Sequence, residues 1–203
     1  MITVIAIVSY LIGSVCFAVI MSRVFRLPDP RVYGSGNPGA INVLRSGNKV
    51  AAMLTLLGDA LKSWLAVWLA QRFAPAGDAQ LAMAIAGTFS VIGHMYPLFH
   101  HFQGGKGVAT ALGALFGFSV YLGLGAISMW IIIAVFFRMS SFASIVSALF
   151  APFVTWMLFG VTHPFFASVA LSAVLLIYRH RQNIKNILAG TESRLGQIVK
   201  PYV

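Results

Sequence analysis

Gly104-Gly105-Lys106-Gly107 is the stretch of this chain best suited to chemistry: three glycines and a lysine between an apolar run ending near Phe99 and another beginning at Val108. Such a loop suits phosphate. Glycines let backbone N–H groups approach an anion, a following helix start adds its dipole, and the lysine adds a full charge. Taken alone the motif is short, and a flexible turn with an orienting lysine fits the same residues. A second polar island runs from Ser35 through Gly36, Asn37, Gly39 and Asn42 to Arg45. Its neutral donors, open backbone and guanidinium fork are the set expected around a tetrahedral phosphate, with Asn/Gly turn chemistry as the plainer alternative. A third island, His180 to Glu192, places His180 and Asn183 on one helical face if the last helix continues. For its Arg181 and Lys185, a basic cluster at the surface of anionic lipid is the competing explanation.

Composition says what must carry these islands. With 59% hydrophobic and 9% charged residues in 203, the chain reads as an all-α integral membrane protein in a single transmembrane domain, residues 1–203. The net charge of +10 could suggest nucleic acid, but 14 basic residues gathered between apolar spans fit orientation signals and anion ligands better, so no nucleic-acid partner is expected. The single cysteine, Cys16, lies in the first apolar run and excludes an intrachain disulfide.

Basic residues orient the spans. Met1 to Met21 is an uncleaved anchor; Arg23, Arg26, Arg31, Arg45 and Lys49 follow it, which puts residues 23–49 in the cytoplasm and the N terminus outside. The second run, about Val50 to Phe73, contains Asp59 and Lys62 on one helical face, where each charge costs ~3 kcal/mol on insertion scales. A functional or site-supporting pair is expected there, against a self-neutralising pair that only fixes helix depth. Leu81 to Phe99 returns inward. Gly107 to Phe137 holds no charge and spans ~45 Å as helix, too long for one crossing and short for two. Arg179, Arg181, Lys185, Arg194 and Lys200 place the C terminus in the cytoplasm, so the number of crossings is odd. Seven transmembrane helices are expected, with the 107–137 stretch turning around Gly123 to Gly125; five spans is the alternative. This topology brings all three islands to one membrane face.

Absent patterns narrow the chemistry. Asp29, Asp59, Asp78 and Glu192 are the only acids and no cluster has metal-ligand spacing, so neither a metal nor another cofactor is expected. Lys106 is followed by Gly107 rather than Ser or Thr, so the nucleotide P-loop pattern fails. No histidine has an aspartate five positions later, and there is no Gly-x-Ser-x-Gly elbow. His163, beside Pro164, reads as packing at an outer turn, and Glu192 as a partner for Arg181 or Arg194.

Together the islands resemble a known family. Ser35-Gly36-Asn37-x-Gly39-Ala40-x-Asn42-x-x-Arg45, Gly58-Asp59-x-x-Lys62, Gly93-His94-x-x-Pro97 with Gly104-Gly105-Lys106-Gly107-Val108-Ala109-Thr110, and His180-Arg181-x-Asn183-Ile184 with Gly190-Thr191-Glu192 are similar to the bacterial acyl-phosphate:glycerol-3-phosphate acyltransferases, the PlsY family. Ser63 and Gln103 depart from the pattern, where glycine and lysine are expected. The resemblance implies transfer of a fatty acyl group from acyl-phosphate to the 1-hydroxyl of sn-glycerol 3-phosphate, giving lysophosphatidic acid and inorganic phosphate. It also implies a multi-pass monomer of the bacterial inner membrane with its site at the cytoplasmic face, among membrane lipids, supplied by a soluble enzyme that makes acyl-phosphate. Gly104, Gly105, Lys106 and Gly107 would then hold the glycerol phosphate and Ser35 and Arg45 the acyl-phosphate, or the reverse, while His180 and Asn183 orient the hydroxyl. The rivals are a transporter or channel for a phosphate-bearing metabolite, and a lipid-binding scaffold without chemistry.

Overall fold

The computed structural model describes residues 1–196; Lys200, used above to orient the C terminus, lies outside the described residues. Among the described residues the chain is helical, without strands. Five stretches are long and apolar enough to cross a membrane: Ile2–Val24, Lys49–Phe73, Ala79–His100, Val120–Phe137 and Ser140–Phe159. Two shorter apolar helices, Val108–Phe118 and Pro164–Arg179, accompany them.

The first stretch is not one helix. It consists of α1 (Ile2–Gly13) and α2 (Phe17–Val24), separated by an extended Cys16. A short α3 (Ala40–Leu44) follows, then α4 (Lys49–Phe73), started by the Asn48 side chain accepting the Ala51 N–H at 2.9 Å and ended before Pro75. α5 (Ala79–Met95) runs into a single 3₁₀ turn, Leu98–His100, and the glycine loop. Beyond it come α6 (Val108–Phe118), α7 (Val120–Phe137), α8 (Ser140–Phe159), α9 (Pro164–Arg179) and α10 (Arg181–Leu188).

No break occurs at Gly123 to Gly125, where a turn is expected; the helix is interrupted instead at Ser119, whose extended backbone is the single residue between α6 and α7. Ser119 is the reason, since its hydroxyl accepts the Tyr121 N–H at 3.2 Å and caps α7. Gly123 lies inside α7 because a Cβ there would run into the Phe116 ring.

Packing follows membrane rules. The faces turned outward carry Leu57, Leu61, Trp64, Leu65 and Trp68 on α4 and Ile131, Ile132, Val135 and Phe136 on α7. Small residues line the inner faces: Ala51, Ala52, Gly58, Ala66 and Ala70 on α4 and Ala82, Ala86 and Gly87 on α5. They allow backbone to touch backbone. α1 lies on α5 where Gly13 meets the Ser90 carbonyl, and α6 lies on α4 where Gly113 meets the Ala60 carbonyl. Replacing Gly113 by Ala therefore forces two helices apart, an overpacking cost of about 1–3 kcal/mol. We expect Gly113→Ala to unfold several degrees below the parent in detergent, while Gly125→Ala, whose Cβ would meet nothing nearer than 3.9 Å, leaves the melting temperature unchanged.

Candidate active site

At the base of the site lies the Asp59/Lys62 pair, and its partners come from two further elements. Lys62 Nζ donates to Asp59 Oδ1 at 2.7 Å, to the Val15 carbonyl oxygen at 2.6 Å, and to His94 Nδ1 at 3.0 Å. Asp59 Oδ1 is 3.4 Å from the same ring nitrogen. All three side chains are buried, at 2%, 5% and 6% exposure for Asp59, Lys62 and His94. The ammonium thus joins α4, α5 and the break between α1 and α2. As acceptor from Lys62, His94 Nδ1 carries the lone pair, which leaves the ring proton on Nε2.

His94 passes this constraint to the glycine loop. Its carbonyl accepts the Gly105 N–H at 3.1 Å, and its imidazole lies so close over Gly105 that any Cβ there would strike Nε2. A Cβ on Gly104 would strike the His94 carbonyl oxygen. Arg179 Nη2 donates to the Gly104 carbonyl at 2.6 Å, and its guanidinium lies 5.5 Å over the Tyr96 ring. Gly104 and Gly105 therefore seat the loop against its neighbours. Gly107 turns it: at φ +87° it occupies the left-handed region that favours glycine, and its carbonyl opens α6 by accepting the Ala111 N–H.

The loop delivers Lys106 to a chamber shared with the other two islands. Lys106 Nζ donates to Asn183 Oδ1 at 2.5 Å, Asn183 Nδ2 donates to Glu192 Oε1 at 2.8 Å, and Ser141 Oγ donates to the same carboxylate oxygen at 2.7 Å. Glu192 thus engages Asn183 and Ser141; of the two arginines expected beside it, Arg181 stacks on Tyr178 at 4.7 Å. Burial lowers the Lys106 pKa to about 8, with Glu192 opposing and Arg45 and Arg179 adding to the depression. Arg45 is held by Nη2 donating to Ser193 Oγ at 2.5 Å.

His180 sits at the joint between α9 and α10, which is why the last helix does not continue through it. Its Nδ1 pairs with the Leu176 carbonyl at 2.8 Å and so carries the ring proton, which leaves Nε2 as an acceptor. Burial lowers its pKa to about 4, so the ring is neutral at physiological pH. In the first island Asn42 is fully committed to the loop: Oδ1 accepts the Ser35 N–H at 3.0 Å, and Nδ2 donates to the Pro30 and Tyr33 carbonyls at 2.6 and 3.1 Å. That clasp leaves Ser35 exposed at the rim.

One cavity of about 600 Å³ unites these groups. Ser35, Asn37, Gly39, Asn42 and Arg45 line it from the first island, Lys106 and Gly107 from the second, and His180 and Asn183 from the third. Asp59 and His94 also reach it, whereas Gly36, Lys62, Gly104 and Gly105 do not. Away from the chamber the wall becomes apolar, with Leu112, Leu115 and Phe118 on α6, Ile127 and Trp130 on α7, and Val169, Ala173 and Leu176 on α9. His94, Arg179 and Ser141 are the participants that residue spacing did not single out. The signal for His94 was its place in Gly93-His94-x-x-Pro97, next to the glycine loop in sequence; nothing local marks Ser141 or Arg179.

Fold and cavity together define an integral membrane protein with an amphiphilic site, cationic at one end and apolar at the other. A family model described as glycerol-3-phosphate acyltransferase matches residues 3–190. The glycerol-3-phosphate acyltransferase of Ralstonia nicotianae is 58% identical over 97% of this chain and 95% of its own, and that of Cupriavidus taiwanensis is 57% identical over 95% of each. Among solved structures, PlsY (YgiH), an integral membrane glycerol 3-phosphate acyltransferase, superposes in its glycerol 3-phosphate form with a TM-score of 0.89 at 35% identity, covering 96% of both chains. Its lysophosphatidic acid form gives 0.87 at 34% identity, covering 97% of this chain and 96% of that one. The chain belongs to the glycerol-3-phosphate acyltransferase family.

Removing one member of the buried charge cluster strands the others. Asp59→Asn leaves the Lys62 ammonium without its carboxylate and should cost about 3–5 kcal/mol, read as a large fall in melting temperature in detergent. Adding Lys62→Met should return part of that loss; a double variant no more stable than the single would show that the charge pair is not what holds these helices.

Proposed function

We propose that this chain transfers a fatty acyl group from acyl-phosphate to the 1-hydroxyl of sn-glycerol 3-phosphate, releasing lysophosphatidic acid and inorganic phosphate at the start of membrane phospholipid synthesis. The observation that carries this reading is the cavity's change of character along its length. The cationic chamber suits two phosphate groups, and the apolar remainder suits an acyl tail whose burial is worth ~0.8 kcal/mol per CH₂. Family membership supports glycerol 3-phosphate as acceptor, and the glycerol 3-phosphate and lysophosphatidic acid forms of the related PlsY fit substrate and product. The donor and the released phosphate are our assignment.

Lys106, with the N-terminal turn of α6 opened by Gly107, holds the glycerol phosphate by charge and backbone N–H groups. Arg45 and Ser35, from the first island, hold the acyl-phosphate and the charge it sheds. The neutral His180 Nε2 accepts the hydrogen bond of the 1-hydroxyl, and Asn183, bonded to Lys106, helps aim that hydroxyl at the acyl carbon. That oxygen forms the new C–O bond while the bond from acyl carbon to phosphate oxygen breaks, its electron pair leaving with the phosphate. Keeping a proton on a ring of pKa about 4 at pH 7 costs about 4 kcal/mol, so His180 orients rather than stores it, and the hydroxyl proton ends on the departing phosphate. Ser35 acts as a hydrogen-bond donor; its exposed hydroxyl has no histidine or carboxylate bonded to it among the described residues that would make it a nucleophile.

The topology we assign is seven crossings, counting α6 and α9 with the five longer stretches, N terminus outside and C terminus in the cytoplasm. Residues 1–203 then form one catalytic domain that works as a monomer in a bacterial inner membrane, its chamber facing the cytoplasm, where a soluble enzyme delivers acyl-phosphate.

Purified protein in detergent, given acyl-phosphate and glycerol 3-phosphate, should release lysophosphatidic acid, and should not do so with an acyl thioester as donor. Ser35→Ala, Arg45→Ala and Lys106→Ala should each lower turnover by about 10²-fold or more while the protein stays folded; near-normal turnover in all three would end the assignment.

The pH profile supplies a separate check. Lys106 is charged below about 8 and loses its charge above it, so kcat/KM for glycerol 3-phosphate should fall as pH rises through that value. Lys106→Arg carries a guanidinium that stays charged, so any activity it keeps should lack that alkaline limb. A limb unchanged in Lys106→Arg would assign it to another group.

A further inference from the structure

The apolar half of the cavity has a built end. On α6 the lining runs from Val108 to Phe118, the last residue of the helix. On α9 it begins at Val169 although the helix begins at Pro164, and on α8 it stops at Ala151 although the helix continues to Phe159. α8 and α9 thus lose contact with the cavity where α6 ends, for Phe118, Ala151, Phe165 and Val169 share one buried cluster.

An aromatic brace occupies that level. Phe118 stacks face to face on Phe165 with ring centroids 4.5 Å apart and planes 10° from parallel. Phe165 is met edge-on by Phe159 at 5.4 Å and by His163 at 4.5 Å. His163 is itself fixed, because its Nδ1 accepts the Phe165 N–H and caps α9. On the other side the Phe118 ring fills a notch at Gly87, where any Cβ would collide with it. Phe165, itself braced by Phe159 and His163 at the adjoining ends of α8 and α9, and the notch at Gly87 hold Phe118 in one position.

Resting on the acyltransfer reading above, we propose that Phe118 is the stop that sets the length of acyl chain the enzyme accepts. The distance to the stop can be read from three helices. From Val108, where α6 begins, to Phe118 is about 15 Å, from His180 back to Val169 along α9 about 16 Å, and from Ser141 to Ala151 along α8 about 15 Å, at the helical rise per residue. An extended chain advances ~1.2 Å per bond, so these lengths hold about twelve to fourteen bonds between the chamber and the ring. The preferred acyl group has about thirteen to fifteen carbons. A longer chain meets a braced ring; a shorter one leaves apolar wall uncovered and loses roughly fourfold in affinity per missing methylene.

The test is a ladder of saturated acyl-phosphates from about twelve to about twenty carbons, with kcat/KM measured at each length. Binding of the matching lysophosphatidic acids is measured on the same proteins. Wild type should peak at about thirteen to fifteen carbons. Phe118→Leu, which keeps an apolar plug against Phe165, and Phe118→Ala should move the peak upward, raising the ratio of longest to middle chains roughly tenfold. Ala126→Leu, on the facing wall of α7 and buried, should move it downward, which keeps the proposal testable if Phe118→Ala does not fold. Profiles that keep their shape in folded Phe118→Leu and Ala126→Leu, or a uniform loss at every length, would overturn the stop. Wild type that makes no product from any acyl-phosphate would defeat the transfer reading instead, and the binding ladder would still decide whether Phe118 measures the chain.

Discussion

A single ammonium group, Lys62 Nζ, holds the site in register from within the apolar part of the molecule. An unpaired charge at that depth costs ~3 kcal/mol or more, so the helices must arrange themselves to supply partners. They do so from three directions, with a carboxylate from Asp59 one turn away, an imidazole from His94 on α5, and a backbone carbonyl from Val15. The last explains the interruption between α1 and α2, since the break releases a carbonyl that an unbroken helix would bond internally. Because His94 also touches Gly105 through both backbone and ring, the position of the glycine loop is a consequence of how Lys62 is satisfied.

Much of this was legible in residue types alone. The apolar stretches and the polar islands between them are compositional facts, and the structure brings Ser35, Lys106 and His180, distant along the chain, around one cavity. What escaped was whatever depends on a single local or tertiary contact. The break between α6 and α7 was sought at the glycines, although the serine cap at Ser119 decides it and Gly123 serves close packing against Phe116. The break after Gly13 has a local mark, the Gly13-Ser14 pair inside an otherwise apolar run, a combination that kinks helices. Residue type marks the Gly-Gly pair as a source of N–H donors; in the fold His94 packs against both glycines and its carbonyl accepts the Gly105 N–H. Ser141 lies in the first turn of a membrane helix, and only the folded chain shows that it faces Glu192.

Placement of Glu192 in the chamber bears on how an anion is received. Among the described residues the ion pairs are Asp29 with Arg31 and the Asp59, Lys62 and His94 group, so Glu192 does not bind Lys106 directly. It binds Asn183, and the Asn183 amide oxygen binds Lys106. A phosphate approaching Lys106 therefore competes with a neutral amide, a weaker rival than a carboxylate at the same distance. Glu192 still acts across that amide, opposing the depression of the lysine pKa.

The two ends of the cavity share α6. Its N-terminal turn follows Lys106 into the chamber, and its last residue is the ring at the apolar end. Gly113, between them, presses α6 onto the Ala60 carbonyl of α4, the helix that also carries Asp59 and Lys62. Charge cluster, glycine loop and apolar wall are thus referred to one rigid pair of helices, α4 and α6. A displacement of α6 along α4 would move the lysine and the ring together, preserving the span between them while losing the match to Arg45 and His180 on other elements. Headgroup alignment is accordingly the quantity most exposed to errors in α4–α6 packing, because its partners come from elements outside that pair.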